Sequence, residues 1–178
     1  NSIASTLTSS LELDEILNKT LGHVIRYLKV EAGEIFLLEE DKKTLRMVLH
    51  RGQAAEAFWT QNLFTVGKGY IGLVAEARVP VVSKDLKNDE RFLRDAVVKA
   101  GFHQMVGIPL LAIDNLIGVM SVATQKTDPI DEQSIQMMAA VGNWAGLAIE
   151  NARLLASARR AAVLGERLLA LAELLGDV

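Results

Sequence analysis

Cysteine is absent from the 178 residues of this chain. Its absence excludes disulfides, cysteine nucleophiles, thiolate metal sites, iron–sulfur clusters and thioether-linked chromophores. It also fits a reducing environment, and we expect a cytoplasmic protein. Lysine and arginine total 19 against 22 acidic residues, a net charge of −3. This balance gives neither the basic footprint of a nucleic-acid-binding protein nor a polybasic patch for membranes.

Long hydrophobic runs are also missing. None reaches the roughly 20 residues that a membrane-spanning helix needs, because Asp114–Asn115 and Asn143 interrupt the longest candidates. Half of the residues are nevertheless hydrophobic, which suffices for the core of one domain with an appendage. The chain begins at Asn1 without a signal-peptide pattern, so we expect it to be a piece of a longer protein.

Hydrophobic periodicity predicts helices and hairpins in alternation. A helix is predicted over 11–28, starting at a capping box, Ser9–Glu12, with residues 1–10 interpreted as the end of an incoming helix. Strands are predicted at 34–39, 45–50, 80–83, 105–112 and 116–123, and short helices at 54–62, 70–77 and 93–100. Hairpins with helices before, between and after them predict an α+β fold.

The last helix has a clear start and an unusual length. Asp128 is predicted as its N-cap, followed by Pro129 at the first helical position. If it continues to Leu175, it is about 45 residues and roughly 67 Å long, so its end must project from a compact domain. Gly165 is a position where the helix could break instead.

Apolar residues on this projecting part follow a seven-residue rhythm. Such a stripe is typical of a two-chain coiled coil, and it would otherwise be left in water. We therefore predict a parallel homodimer. The predicted dimer residues are Leu154, Ala158, Ala161, Leu164, Leu168, Leu171 and Leu175.

Eight local strings, in order, resemble the GAF domain, a sensor module of signalling proteins. They are Leu11–Leu17, Ala32–Leu38, Gly67–Gly72, Pro80–Asp85, Asn88–Phe92, Val106–Leu110, Ile117–Val122 and Ala148–Leu154. The resemblance covers 11–155 and leaves 156–178 as a projecting signalling helix. It implies an antiparallel sheet of about five to six strands. Long terminal helices would cover one face, and short helices and a ligand pocket the other.

The family's known ligands can be weighed against the residues present. Its cyclic-nucleotide-binding members carry an Asn-Lys pair and a later Phe-x3-Asp-Glu string. Here Asn18–Lys19 lies on the first helix, and the later string is missing. Covalent bilin binding and methionine sulfoxide reduction both need cysteine, so neither is expected.

The layout of the family implies pocket-lining residues, although the same apolar side chains could equally be core. They are Phe36, Phe64, Ile71, Val82, Phe92, Met105, Ile108 and Met120. His103, just before a predicted wall strand, is either a pocket hydrogen-bond donor, a ligand for noncovalent haem, or a solvated loop residue. His23 is expected on the exposed side of the first helix, and His50 at a strand end. No histidine has local metal-ligand spacing. Glu34 is expected to be exposed near the start of its strand; the alternative is an inward-pointing, desolvated carboxylate with a functional role.

These features predict a regulatory sensor without catalytic activity. It would bind a small molecule and relay the signal through a dimeric C-terminal helix. The resemblance suggests an output domain such as a histidine kinase of a two-component system, a diguanylate cyclase or a phosphatase. The alternative is a dimerisation and relay module whose pocket has closed. An enzyme is a third hypothesis, but no nucleophile elbow or recognised pair of carboxylates supports it.

Overall fold

The computed structural model describes the backbone of residues 2–176 and the side chains of residues 11–176. Its helices are α1 (Ser2–Leu28), α2 (Ala55–Trp59), α3 (Gly69–Ala77), α4 (Asp95–Lys99) and α5 (Glu132–Leu174), with a 3-10 turn at Leu86–Asn88. Its strands are β1 (Ala32–Leu38), β2 (Thr44–Gly52), β3 (Leu63–Thr65), β4 (Val81–Ser83), β5 (Gln104–Ala112) and β6 (Asn115–Thr124). The α+β prediction is confirmed.

All six strands form one antiparallel sheet in the order β3-β2-β1-β6-β5-β4. The β1–β2 hairpin turns where its sequence predicts. Asp41 accepts hydrogen bonds from the backbone N–H groups of Lys43 and Thr44, both at 2.9 Å. The Thr44 hydroxyl, which also donates to Asp41, and these two backbone bonds lower the pKa of Asp41 to about 2. β1 lies at the centre of the sheet and is buried along its whole length.

The sheet separates two hydrophobic cores, because successive side chains of a strand point to opposite faces. Ile35 and Leu37 of β1 pack with α1 and α5 on one face, which we call the helix face. Ala32 and Phe36 pack on the other face under α2, α3 and α4, which we call the site face. Alternate residues of the same strand therefore touch the terminal helices and the short helices.

Two predicted helix starts are wrong. α1 already runs from Ser2, so Ser9 does not begin it. The N-cap of α5 is Asp131, whose carboxylate accepts a hydrogen bond from Ser134 N–H at 2.7 Å and has a lowered pKa for that reason. The Gln104 side chain donates to the carbonyl of Asp128 at 2.7 Å and holds that residue in the preceding loop.

Helix α5 approaches the sheet through glycines and then leaves it. A Cβ atom added at Gly146 would lie 2.2 Å from the carbonyl oxygen of Leu111, and one at Gly142 would lie 2.6 Å from Ile108. The helix continues through Gly165, where an added Cβ would meet nothing within 4 Å. The break considered at Gly165 is therefore absent, and 43 residues give a helix of roughly 64 Å.

No helix within residues 2–176 combines the length and the apolar character needed to cross a bilayer.

Gly146 and Gly165 of α5 should respond oppositely to the same change. Gly165→Ala should stabilise the protein by up to about 1 kcal/mol, because alanine is the better helix former. Gly146→Ala should destabilise it by about 1–3 kcal/mol, because the new methyl group pushes the helix off β5. Urea unfolding measures both. Equal effects of the two substitutions would contradict the close approach of α5 to the sheet.

Candidate functional site

A buried carboxylate lies at the centre of the site face. Glu34 of β1 pairs in register with His50 of β2 and with Ser121 of β6. The register of β1 and β2 shifts between Ile35 and Phe36, and this bulge leaves Val48 as the extra residue. Because of the bulge, His50 shares the site face with Glu34.

Arg94 neutralises this carboxylate in a two-pronged ion pair. Its Nη1 donates to Glu34 Oε1 at 2.7 Å, and its Nη2 donates to Glu34 Oε2 at 2.6 Å. Nη1 also donates to the carbonyl oxygen of Phe58 at 3.0 Å, and the Ser121 hydroxyl donates to Glu34 Oε2 at 2.7 Å. The Arg94 side chain is 1% exposed and that of Glu34 is 0% exposed.

Four phenyl rings enclose the guanidinium of Arg94. The distances from its central carbon to the ring centroids are 5.3–5.8 Å, within the range of cation–π attraction. The rings belong to Phe36, Phe58, Phe64 and Phe92. They come from β1, α2, β3 and the segment before α4. Four separate elements of the site face therefore contact the same guanidinium.

His50 borders the ion pair with its apolar side against Phe58, the ring centroids being 4.8 Å apart. Burial lowers the pKa of His50; the nearby Glu34 opposes this shift and Arg94 adds to it. Its Nε2 is buried without a hydrogen-bond partner, as is Nε of Arg94. The polar cluster is therefore only partly satisfied by the protein's own groups.

A second group of polar contacts surrounds Tyr70 of α3. Tyr70 of α3 is buried, which raises the pKa of its hydroxyl, and this hydroxyl contacts the carbonyl oxygens of Val81 and Met105. Arg91 lies over the Tyr70 ring and pairs with Asp89 at 2.6 Å, which holds the pKa of Asp89 well below its usual range.

The structure divides the expected pocket residues between the two faces. Five of them lie in the core of the site face: Phe36, Phe64, Ile71, Phe92 and Met105. Val82, Ile108 and Met120 were expected with them, but they pack on the helix face because their strand register turns them towards α1 and α5. His103 is partly exposed beside β5, where its backbone bonds Leu86 and Thr124.

The expectation that Glu34 is exposed is wrong. The role of Arg94 as its partner is not predicted from the sequence. A carboxylate inside a fully buried strand demands a cationic partner, and this requirement is the signal that could have prompted a search. The sequence does not say which of the 19 basic residues meets it. His23 is exposed on α1, as predicted.

The cluster offers a buried charge, hydrogen-bonding groups and aromatic faces, which suit recognition of a small polar molecule. Within the part of the chain that the structure describes, no group of three or more His, Cys, Asp or Glu side chains could hold a metal ion.

The expected dimer residues have exposed side chains, and all of them lie on α5 except Leu175, which is its C-cap. The exposed fractions of Leu154, Leu164, Leu168 and Leu175 are between 57% and 68%. A second apolar surface lies between α1 and α5, in a groove of about 460 Å³ whose lining includes Tyr27 and Trp144.

Removing the buried charge of Glu34 should lower the free energy of unfolding far more than removing an exposed charge. Glu34→Gln leaves Arg94 buried without its counter-ion and should cost about 3–5 kcal/mol. Glu39→Gln is the matched control, because Glu39 pairs with Arg46 at the surface, and it should cost less than about 1 kcal/mol. Urea unfolding measures both values. A cost for Glu34→Gln as small as that of the control would contradict the buried pair.

Comparison with known proteins finds sequence relatives of this chain. Over 170 residues, 89% of this chain, the sequence is 25% identical to a Nif-specific regulatory protein of Azospirillum brasilense. The match covers 26% of that protein, so the chain spans about a quarter of the length of this relative.

Solved structures share the fold at lower identity. The GAF domain from a phosphoenolpyruvate-protein phosphotransferase of Coxiella burnetii has a TM-score of 0.70 and 17% identity, covering 86% of this chain and 95% of that one. A type II free methionine-R-sulfoxide reductase of Thermoplasma acidophilum has a TM-score of 0.66 and 12% identity, covering 80% and 95%. These likenesses show the fold alone.

The sequence profile of the GAF domain matches residues 10–150. This match covers most of the chain and agrees with the six-stranded sheet and the long terminal helices. The chain belongs to the GAF domain family.

Proposed function

We propose that this GAF domain is the sensor module of a larger regulatory protein. It binds a small molecule on the site face and relays the signal through α5 to an output domain. The observation that carries the proposal is the path of α5. One continuous helix is fixed to the sheet at Gly142 and Gly146 and then carries a row of exposed leucines beyond the sheet.

The sheet supplies the physical connection between ligand and helix. An added Cβ at Gly107 of β5 would meet Val74 and Tyr70 of α3, so α3 rests directly on that strand. The next residue, Ile108, lies against Gly142 of α5 on the opposite face. A ligand that shifts α3 or its neighbours therefore acts on the strand that carries α5. Such a relay requires that the ligand bind two arrangements of the domain with different affinity.

The exposed leucines support a homodimer. Leu164, Leu168 and Leu171 are spaced 4 and 3 residues apart on one side of a helix, which matches the seam of a coiled coil. The apolar groove with Tyr27 and Trp144 offers a further contact between the α1–α5 pairs of two chains. Two parallel copies of α5 would bring two output domains together.

Several finer expectations remain proposals. The relative from Azospirillum brasilense is a regulatory protein by name, which supports regulation as the role. A histidine kinase, diguanylate cyclase or phosphatase as the output domain, and noncovalent haem at His103, remain sequence-based predictions. The ligand-free relay module remains the alternative. The closed packing around Arg94 is the observation that favours it.

Native mass spectrometry of the freshly purified chain tests assembly and ligand together. We expect a dimer, and a discrete extra mass would identify a retained small molecule. Leu168→Glu combined with Leu171→Glu should give a monomer, because four acidic side chains would face one another in the seam.

The matched control combines Ala162→Glu with Ala170→Glu, which adds the same charge to exposed positions on the opposite side of α5. This variant should stay dimeric. A wild-type monomer, or a dimer in both variants, would contradict pairing through the leucine row.

A further inference from the structure

The surroundings of Arg94 form a receptor for a planar cation. The carboxylate of Glu34 presents two acceptors, the Phe58 carbonyl presents a third, and four phenyl rings surround the charge. Paired acceptors in one plane match a guanidinium or amidinium group, and aromatic faces attract it further. At present the chain's own arginine fills this receptor.

The two partners of the ion pair differ in their freedom to move. Glu34 lies in the central strand β1, hydrogen-bonded to β2 and β6 on both sides. Arg94 lies outside the sheet, between the 3-10 turn and the five-residue helix α4. Its side chain can leave together with the loop segment that carries it, whereas Glu34 belongs to a strand that is paired on both sides.

The charges favour a cationic ligand over an anionic one. An anion that took Arg94 from Glu34 would leave a carboxylate with 0% exposure and only the Ser121 hydroxyl as its partner, which is strongly unfavourable. A cation that took Glu34 from Arg94 would restore every contact that the carboxylate loses. The released guanidinium would regain its hydration.

The chain's own arginine also fits its receptor imperfectly. Nε of Arg94 is buried without a hydrogen-bond partner, although a guanidinium carries five N–H donors. Nε2 of His50, on the same face, lacks a partner as well. In Arg94 the third guanidinium nitrogen, Nε, is bonded to the side chain, which fixes its direction. A free ligand can orient its third nitrogen differently.

We propose that the site face binds a small organic cation with a guanidinium or amidinium head, and that Arg94 occupies the site as an internal competitor. This inference rests on the proposed sensor function and assigns its ligand class. Binding expels Arg94, which carries the segment before α4 and the Phe92 ring with it. Because Arg94 competes, the apparent Kd equals the intrinsic Kd divided by the fraction of molecules in which the site is free.

Chemical rescue of Arg94→Ala by methylguanidinium chloride tests the proposal. The variant removes the competitor and leaves Glu34 unpaired, so methylguanidinium should raise its melting temperature. At ten times its Kd, a ligand increases the folding equilibrium constant about elevenfold, a rise of roughly 3–6 °C for a domain of this size. Potassium chloride at equal concentration should give no such rise.

Two controls isolate the site. Arg91→Ala removes a neighbouring arginine that pairs with Asp89 outside the receptor, and methylguanidinium should stabilise it no more than it stabilises the wild type. The double variant Glu34→Gln/Arg94→Ala lacks the carboxylate and should not be rescued. Rescue of the double variant equal to that of Arg94→Ala would overturn the proposal.

Ligand-observed NMR on the wild-type chain keeps the test decisive if Arg94→Ala does not fold. Methylguanidinium should bind the wild type measurably and bind Glu34→Gln, at a temperature where this variant remains folded, at least tenfold more weakly. Absence of binding to the wild type would overturn the cation receptor, whether or not Arg94→Ala is rescued.

A carboxylate probe separates this inference from the sensor function. If sodium acetate raises the melting temperature of the wild type but not that of Arg94→Ala, then Arg94 binds an anion. The cationic ligand class is then wrong, and the proposed sensor function still stands. If neither probe binds any variant and native mass spectrometry shows no retained mass, both the ligand class and the small-molecule sensor are contradicted.

Discussion

A carboxylate in the central strand of a sheet needs a counter-charge from elsewhere in the chain, because burial of an unpaired charge is strongly unfavourable. Glu34 obtains it from Arg94, 60 residues further along the sequence. The ion pair ties the segment before α4 to the middle of the sheet and gathers four phenylalanines around one cation. Replacement of such a pair by apolar residues often stabilises a protein, so stability alone does not account for it.

The sheet connects this pair to the terminal helices. Glu34 and Phe36 face the site, while their neighbours Ile35 and Leu37 pack on the helix face. On β5, Gly107 supports α3 and Ile108 contacts α5. Gly142 and Gly146 bring α5 so close to β5 that an added methyl group at either would clash with the strand. This arrangement supports the relay that we propose, from one face of the GAF domain to a helix on the other.

Features that depend on local periodicity could be predicted from the sequence. The hairpin around Asp41, the long helix α5 and the exposed stripe at Leu164 and Leu168 follow from the spacing of apolar and turn residues. The N-cap of α5 is Asp131, whose carboxylate accepts from Ser134 N–H, while Gln104, distant in sequence, donates to the carbonyl of Asp128 in the preceding loop. Such distant contacts leave no local signal.

The centre of the site could not be predicted for the same reason. The orientation of Glu34 depends on strand register, and a bulge at Val48 brings His50 beside it. Val82, Ile108 and Met120 are apolar residues of the expected strands, yet their register turns them to the helix face. Arg94 is one basic residue in a charged loop, and only the folded chain shows that it lies against Glu34.

The most direct measurement is NMR of the arginine side chains in the full chain labelled with nitrogen-15. A bidentate, buried guanidinium has hindered rotation and protected protons, so Arg94 should give resolved Nη signals that exchange slowly with water. Those signals should disappear in Glu34→Gln and persist in Arg91→Ala. If no arginine shows protected Nη protons, Arg94 does not hold Glu34 in solution, and the account of the site face is contradicted.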